Sequence, residues 1–448
     1  MYLYSKNMNV TKDCELLTDF YLKNNCIKFV SFNNNTIKNL TNLYDDINES
    51  DKQLQTIKDR HGFYNLELTK IENVEDIPKP RTFAEGMTEL VANHIDKHSY
   101  YLLTYTFHLL DFPELKRDLI IHFVIEKMDV DINLDLEPNL EIFNRYVDRI
   151  VTMYFILNKH SVSNNCSKVL TIFLYFTSLK KKLSNKVETL GYDHVNTGFT
   201  YTCPETNGEI VIFRKEEWFK VLIHESFHNL KLDFSNMDNS YCTQKMRLLF
   251  QVNSDVNLFE SYTEFWAKTL NIVFVSYSLL GKRKRKGLLD TDILDADRLD
   301  TFLKYAEFLI NYERQHCFFQ MVKVLDSYGL TYQDILTKTE KVNTFSEKSN
   351  VFTYFVITNI LFSEFMDVIE WCNLNNKDGT LLMFQHNEDN LKKYCLFIEK
   401  KYRSHQLTYN IGCSEKLFHK MAEKHKRKET KSVAFILNNL RLSLCEMK

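Results

Sequence analysis

The stretch KEEWFKVLIHESFH, residues 215–228, contains two histidines four positions apart, with a glutamate directly after the first. On a helix, positions i and i+4 lie on one face, so the imidazoles of His224 and His228 can bind the same metal ion. Glu225 lies on the adjacent surface, where its carboxylate can take a proton from a metal-bound water. The alternative interpretation is a chance pair of histidines on a buried helix face.

The residues around this stretch favour a strand followed by a helix. Residues 209–213 follow Gly208 and form a β-branched and aromatic run, which is typical of a strand. Acidic residues then precede the apolar stripe, as at many helix N-termini, and no proline or glycine interrupts the chain before Leu232. The pattern therefore predicts that the paired histidines lie on a helix of about four turns.

A catalytic zinc needs a third protein ligand, and residues 258–267, LFESYTEFWA, offer two carboxylates one helical turn apart. The run E-S-Y-T-E-F-W is similar to the E-G-F-T-E-Y-F run on the second helix of gluzincins. That resemblance implies that Glu260 binds the metal and that Glu264 orients a ligand histidine. A second alignment, with the E-F-F-A run of other gluzincins, makes Glu264 the ligand. The plain alternative is an amphipathic helix with two solvent-facing acids.

Together the two stretches resemble the gluzincin type of zincin metallopeptidase over about residues 166–281. The resemblance implies a core made of a small sheet, the histidine helix and the glutamate helix. It also implies that the strand before the histidine helix, residues 209–213, lies at the rim of the cleft and aligns an extended substrate. Two departures stand out: 32 positions separate His228 from Glu260, which predicts an extra loop at about 233–250, and Ser261 replaces a glycine. Neither departure removes a ligand.

Further site residues remain open. Many gluzincins add a tyrosine or histidine that stabilises the oxyanion, and the nearest candidates here are Tyr305, Tyr312 and His316. Cys203 and Cys242 could supply thiolate ligands, although a complete set of two histidines and one glutamate needs neither. For each of these residues, an ordinary structural role is the alternative.

The fold class predicted is α+β, predominantly α, with helical N- and C-terminal regions around the zincin-like core. The chain is divided into an unassigned region 1–80, a helical region 81–165, the core 166–287 and a helical region 288–448. Strands are predicted at 169–176, 198–202 and 209–213. Helices are predicted at 87–98, 115–128, 140–157, 299–328, 351–372, 390–402 and 433–445.

The amino-acid composition limits which binding partners and which cellular compartment are expected. A formal net charge of −2 gives no general attraction to nucleic acid, so the basic run 282–286 is expected to be a solvated loop. The apolar run 270–280 is too short to cross a membrane. Ten irregularly spaced cysteines predict reduced thiols in an intracellular, cytoplasm-like compartment. Abundant Asn, Lys and Ile are typical of AT-rich genomes, such as those of large DNA viruses or protists.

The resemblance and the motifs lead to one main hypothesis. The chain is expected to be a zinc-dependent peptidase that binds one Zn²⁺ through His224, His228 and Glu260, uses Glu225 as its base, and acts on a protein or peptide. The rival hypothesis is a catalytically inactive zincin fold with a structural or scaffolding role, for example in a virus particle, with the cleft plugged by the extra loop or by the flanking helical regions. A third possibility is nucleic-acid binding through residues 282–286.

Overall fold

The helices and strands described here come from a computed structural model that covers residues 10–61, 64–127, 137–161, 165–183, 189–281, 291–337 and 340–448. Within these residues the chain is mostly helical and has one mixed six-stranded sheet, which confirms the α+β, predominantly α prediction. The helices are α1 Lys12–Lys23, α2 Asn34–His61, α3 Phe83–Gly86, α4 Glu89–His98, α5 Glu137–His160, α6 Tyr192–Val195, α7 Trp218–Asn229, α8 Ser240–Leu249, α9 Leu258–Ser278, α10 Thr291–Ser327, α11 Tyr332–Ile335, α12 Thr358–Ser363, α13 Phe365–Asn375, α14 Glu388–Lys401, α15 His405–Arg427 and α16 Lys431–Asn438.

The sheet has the strand order β1-β2-β3-β4-β6-β5. Its strands are β1 Asn65–Lys70, β2 Ser99–Phe107, β3 Asp118–Glu126, β4 Val169–Phe176, β5 Gly198–Thr200 and β6 Asn207–Ile212. β3, β4 and β6 run parallel to one another, while β1, β2 and β5 pair antiparallel with their neighbours. The short strand β5 forms one edge of the sheet, next to β6.

Alternating side chains place the sheet between two apolar layers. In β4, Leu170, Ile172 and Leu174 belong to the main hydrophobic core, whereas Phe173 and Tyr175 pack into a smaller cluster with α4. Side chains that alternate between the two faces of a strand explain this split, and burial on both faces favours apolar residues throughout. The main core contains the helices that form the candidate site.

Two predictions about this sheet were wrong or missing. Residues 115–128 were predicted to form a helix, but they contain β3, whose β-branched residues at 120, 121, 124 and 125 favour a strand. β2 was not predicted, although its run SYYLLTYTF is rich in aromatic and β-branched residues. The sheet therefore draws strands from three of the four regions into which the sequence was divided.

The C-terminal helices also differ from their predicted bounds. The predicted helix 351–372 contains a π-helical segment, Thr353–Ile357, and is broken at Glu364 between α12 and α13. The predicted helix 433–445 ends at Asn438. The residues that follow are not helical, and they form hydrogen bonds with the start of α7 and with α9. None of the described helices has the length and apolar character that crossing a membrane requires.

Four cysteines differ from the expectation that all ten are reduced thiols. Cys166 is bonded to Cys203, with Cα atoms 4.5 Å apart, and Cys242 is bonded to Cys395, with Cα atoms 6.0 Å apart. The other six cysteines are free. The second bond joins α8 to α14, and the first joins the segment before β4 to the loop that connects β5 to β6.

Candidate metal centre

The paired histidines lie on α7, every residue of which is buried. The helix packs between β5 and β6 of the sheet and the long helix α9. It begins after Glu217, which has left-handed backbone (φ 59°). The carboxylate of Glu217 accepts hydrogen bonds from Lys181 Nζ (2.8 Å) and from the backbone N–H groups of Leu442 (3.2 Å) and Ser443 (2.6 Å). The start of α7 is thus fixed by the C-terminal segment of the chain.

The two glutamates lie on α9, on the side that faces α7. Glu260 is in the first turn, where its negative charge suits the helix N-terminus, and Glu264 lies one turn further on. Positions i and i+4 share a helix face, so both carboxylates reach the histidines of α7. The helix is buried over almost its whole length, which excludes the alternative of two solvent-facing acids.

Three side chains converge on one point between these helices. The Nε2 atom of His224 lies 3.1 Å from Oε2 of Glu260 and 3.2 Å from Nε2 of His228. The Nε2 atom of His228 lies 3.5 Å from the same Glu260 oxygen. All three donor atoms lie within 4.8 Å of one another, and in the described part of the chain no other group of histidines, cysteines and acids meets this criterion.

A buried ion pair holds the second ring nitrogen of His224. Its Nδ1 atom lies 3.0 Å from Oε2 of Glu264, and both oxygens of Glu264 accept hydrogen bonds from Lys220 Nζ, at 2.9 and 3.0 Å. A partner on Nδ1 fixes the ring and leaves Nε2 as the atom that faces the centre. Of the two possible glutamate ligands, Glu260 is the one that reaches both imidazoles.

His228 has a separate support. Its Nδ1 atom pairs with Oδ2 of Asp233, five residues along the chain, and that oxygen also accepts a hydrogen bond from the Thr263 hydroxyl at 3.0 Å. The other oxygen of Asp233 accepts from the backbone N–H of Ser235 at 3.1 Å. Both histidines therefore present the same ring nitrogen, Nε2, towards Glu260.

Burial and charge set the protonation of these groups. Burial alone would lower the pKa values of His224 and His228, but the neighbouring carboxylates outweigh it and raise both. Burial would raise the pKa of Glu264, yet the Lys220 ammonium and the hydrogen bond with His224 lower it to about 2. Burial does raise the pKa of Glu225, against the lowering effect of positive charge on the two histidines. The raised pKa makes the Glu225 carboxylate a stronger proton acceptor than an ordinary glutamate.

A cavity of about 650 Å³ opens onto the three side chains. Glu225 and Tyr354 lie in its wall, and so does the edge strand β5. The strand predicted for this rim, β6, lies instead inside the sheet, between β4 and β5. Most of the remaining wall is polar, and it is formed by Tyr192, Asn196, Asn253, Ser254, Asp255, Asn257, Glu347, Lys348, Ser349 and Asn350.

Three residues around the centre were not identified from the sequence. Tyr354 donates a hydrogen bond to Oε2 of Glu260 (3.0 Å), and Asn350 donates one to Oε1 (3.0 Å). Tyr354 lies in the π-helical segment Thr353–Ile357, a geometry that is frequent at functional sites. The third, Asp233, follows the motif by five residues. No local pattern marks Asn350 or Tyr354, because they come from a segment about ninety residues beyond Glu260.

The three predicted oxyanion residues do not line the cavity. His316 is buried against Tyr21, whose hydroxyl lies 3.0 Å from its Nδ1 atom, and its Nε2 atom bonds to the backbone oxygen of Arg441. Tyr312 packs edge-on against Phe29. Tyr305 lies two turns before Tyr312 on α10 and outside the cavity wall. α10 follows α9 in the chain but packs against it away from the cavity, so these assignments were wrong.

Other predicted features fall outside the centre. Cys203 and Cys242 are both disulfide-bonded, so neither is a thiolate ligand. The segment 233–250, predicted as an extra loop, includes α8, which packs against α14, and none of its residues lines the cavity. The basic run 282–286 lies outside the described residues.

Comparisons with protein-family models, with curated proteins and with solved structures gave no match to this chain. The resemblance to gluzincins therefore rests on two short stretches of sequence.

Proposed function

We propose that the protein is a zinc-dependent peptidase of the gluzincin type, with Zn²⁺ held by His224, His228 and Glu260 and with Glu225 as the general base. One observation carries the proposal: two imidazole nitrogens and one carboxylate oxygen converge within 4.8 Å at the wall of an open cavity that Glu225 also lines. Two nitrogens and an oxygen, with a position open to water, are the ligand set of a catalytic zinc site.

The chemistry of the donors fits zinc. Imidazole with carboxylate suits zinc, whereas calcium and magnesium prefer oxygen ligands alone. Each histidine has a carboxylate on its second ring nitrogen, an arrangement that accompanies most metal-bound histidines. Glu260 also accepts hydrogen bonds from Tyr354 and Asn350, which hold its carboxylate in position.

The chain supplies the remaining chemistry of hydrolysis. When bound, zinc would polarise a substrate carbonyl and acidify water. Glu225 would accept the proton of the attacking water and pass it to the leaving amine. Tyr354 lies in the cavity wall with its hydroxyl beside Glu260, and it would be the candidate donor to the oxygen that gains charge. The free edge of β5 would pair with an extended peptide backbone, the usual way in which a sheet edge binds a peptide.

The decisive experiment compares wild-type protein with Glu225→Gln. We expect the wild type to bind one zinc and to cleave members of a broad peptide library, detected by mass spectrometry. Glu225→Gln should retain zinc and lose cleavage, because an amide cannot accept the proton from water. Glu205→Gln, which removes an exposed acid outside the cavity wall, is the matched control and should cleave normally.

Two outcomes would count against the proposal. Cleavage that survives Glu225→Gln would exclude Glu225 as the base. Zinc binding without any cleavage by the wild type would favour the rival hypothesis of an inactive scaffold. The open cavity already argues against the version of that rival in which the extra segment fills the cleft, since residues 233–250 do not contribute to the cavity wall.

A further inference from the structure

A second, smaller cavity adjoins the metal centre. It has a volume of about 30 Å³ and shares His224, Glu225 and Tyr354, among others, with the larger cavity. This is room for about two water-sized groups, which is also the size of the two oxygens of a carboxylate. The residues found only in the wall of this side pocket are Lys181, Val195, Thr197, Lys220, Val221, Glu264 and Leu442.

The wall of the side pocket contains a buried hydroxyl without a partner. Thr197 is 2% exposed, and its Oγ1 atom has no hydrogen-bond partner among the described residues. A buried polar group left unpaired destabilises the fold, so a ligand that accepts a hydrogen bond from Thr197 would complete its bonding. The hydroxyl can donate to an oxygen placed in the pocket.

Two buried ammonium groups add further donors. Lys220 Nζ donates to both oxygens of Glu264, and Lys181 Nζ donates to Glu217 at 2.8 Å. An ammonium has three N–H groups, so within the described residues these bonds leave one N–H on Lys220 and two on Lys181. Both side chains are almost completely buried, at 2% and 0% exposure, so bulk water does not complete them.

The wall of the side pocket also contains two acids, Glu264 and Glu225, but they do not accept all the hydrogen bonds that its donors can make. Glu264 accepts two hydrogen bonds from Lys220 and contacts His224, which offsets its charge. Glu225 lines both cavities. What the wall lacks is an acceptor for Thr197 and for the remaining N–H groups of the lysines.

We propose that this side pocket binds a carboxylate of the substrate, so that the enzyme prefers peptide bonds next to an acidic group. The inference rests on the proposed peptidase function and names its substrate class. The pocket touches His224 and Glu225, so a group inside it belongs to the residue beside the cleaved bond. The carboxylate is either an Asp or Glu side chain or the C-terminus of the peptide.

The test measures binding, so it does not depend on turnover. Three acetylated pentapeptides would be titrated by calorimetry into full-length Glu225→Gln protein with added zinc, and into metal-free wild-type protein. The first peptide has Glu at its centre and an amidated end, the second has Gln there and an amidated end, and the third has Gln and a free C-terminal carboxylate. We expect the Glu peptide to bind about tenfold or more tightly than the amidated Gln peptide, because hydrogen bonds to a charged acceptor are strong.

Two variants of Thr197 connect this preference to the pocket. Thr197→Val removes the hydroxyl at nearly constant shape and should reduce the Glu-over-Gln preference by roughly fivefold or more. Thr197→Ser keeps the hydroxyl and should keep the preference. Since the hydroxyl has no partner in the described structure, Thr197→Val should fold, and its melting temperature checks this. A purely structural role would change the melting temperature and leave the preference intact.

The outcomes are distinct. Equal binding of all three peptides, no measurable binding of either peptide that carries a carboxylate, or an unchanged preference for the carboxylate in Thr197→Val would each overturn the proposal. Tight binding of the free-carboxylate peptide, lost in Thr197→Val, would identify the C-terminus as the source of the carboxylate. The donors belong to the chain itself, so a preference in protein that binds no zinc would support the pocket while the peptidase proposal failed.

Discussion

The two histidines of the candidate centre receive their support in different ways. His224 depends on Glu264, which lies 40 residues along the chain on another helix and is itself paired with the buried Lys220. His228 depends on Asp233, only five residues away, with a hydroxyl from Thr263. One histidine is thus held by the packing of α7 against α9, whereas the other is held mainly by the loop that follows its own helix.

Because of this difference, removing the two supports should affect zinc affinity and the stability of the fold to different degrees. On the His224 side a buried charge pair joins two helices, so breaking it should affect the whole fold. On the His228 side the support is local and its removal should affect the metal more than the fold. Substitutions on the two sides therefore test whether the two supports differ in this way.

The largest effect should come from the ligands themselves, where the two sides should not differ. His224→Ala, His228→Ala and Glu260→Ala should each weaken zinc binding by roughly 100- to 1000-fold, because each removes one of three protein ligands. Elemental analysis and competition with a chelator would measure this. His108→Ala, at an exposed histidine, is the control. Wild-type zinc content in any of the three variants would remove that residue from the ligand set.

The next largest effect should be on stability, at Lys220. Lys220→Met leaves Glu264 buried without its ammonium, so the free energy of unfolding should fall by about 3–5 kcal/mol. The control is Lys245→Met, which breaks the partly exposed pair with Glu399 and should change stability much less, because solvent screens a surface ion pair. Chemical denaturation of metal-free protein measures both. Similar losses in the two variants would mean that the buried pair does not link α7 to α9.

A smaller effect distinguishes the two supports. Glu264→Ala and Asp233→Ala should each weaken zinc binding by about 10- to 100-fold, the usual range for groups that orient a ligand. Glu264→Ala should also lower stability, because Lys220 loses its partner. If Glu264→Ala removed zinc completely while Glu260→Ala retained it, the alignment with Glu264 as ligand would be the correct one.

The smallest effect concerns Glu347, an acid in the cavity wall that is paired with neutral groups. It accepts hydrogen bonds from the Ser254 hydroxyl and the Phe352 N–H, and burial raises its pKa from 4.5 to about 7. Its protonated form therefore stabilises the fold below pH 4.5, and this contribution is lost as the pH rises through about 7.

Glu347→Gln, which stays neutral, should match wild-type stability near pH 4.5 and exceed it by on the order of 2 kcal/mol at pH 8. Denaturation curves at the two pH values would measure the difference. The control is Glu340→Gln, in an exposed acid of the same segment, which should show no pH-dependent gain. An equal gain at both pH values would mean that Glu347 does not titrate in this range.

The candidate site residues that could be predicted from the sequence are those that share one helix or that belong to a run resembling a known one. The positions of His224, Glu225 and His228 follow from i and i+4 on α7, and Glu260 follows from the resemblance of its run to a known one. The strand pattern of β4 was equally clear, because a continuous apolar run of eight residues suits a strand buried on both faces.

The remaining features depend on contacts that a local pattern does not encode. Residues 118–126 were assigned to a helix because a short apolar run fits either element, and only pairing with β2 and β4 decides for a strand. Tyr354 reaches Glu260 through a π-helical segment that spacing rules do not anticipate. Thr197 and Lys181 resemble ordinary residues until the fold buries them beside Glu225.

The anchoring of Glu217 by Leu442 and Ser443 has a consequence for the order of assembly. During synthesis, α7 leaves the ribosome more than 200 residues before the amide groups that fix its first turn exist. The sheet and the neighbouring helices can form earlier, but the hydrogen bonds that anchor Glu217 at the start of α7 can form only when residues 442 and 443 have emerged. A nascent chain would therefore complete the anchoring of α7 only after residue 443 has been synthesised.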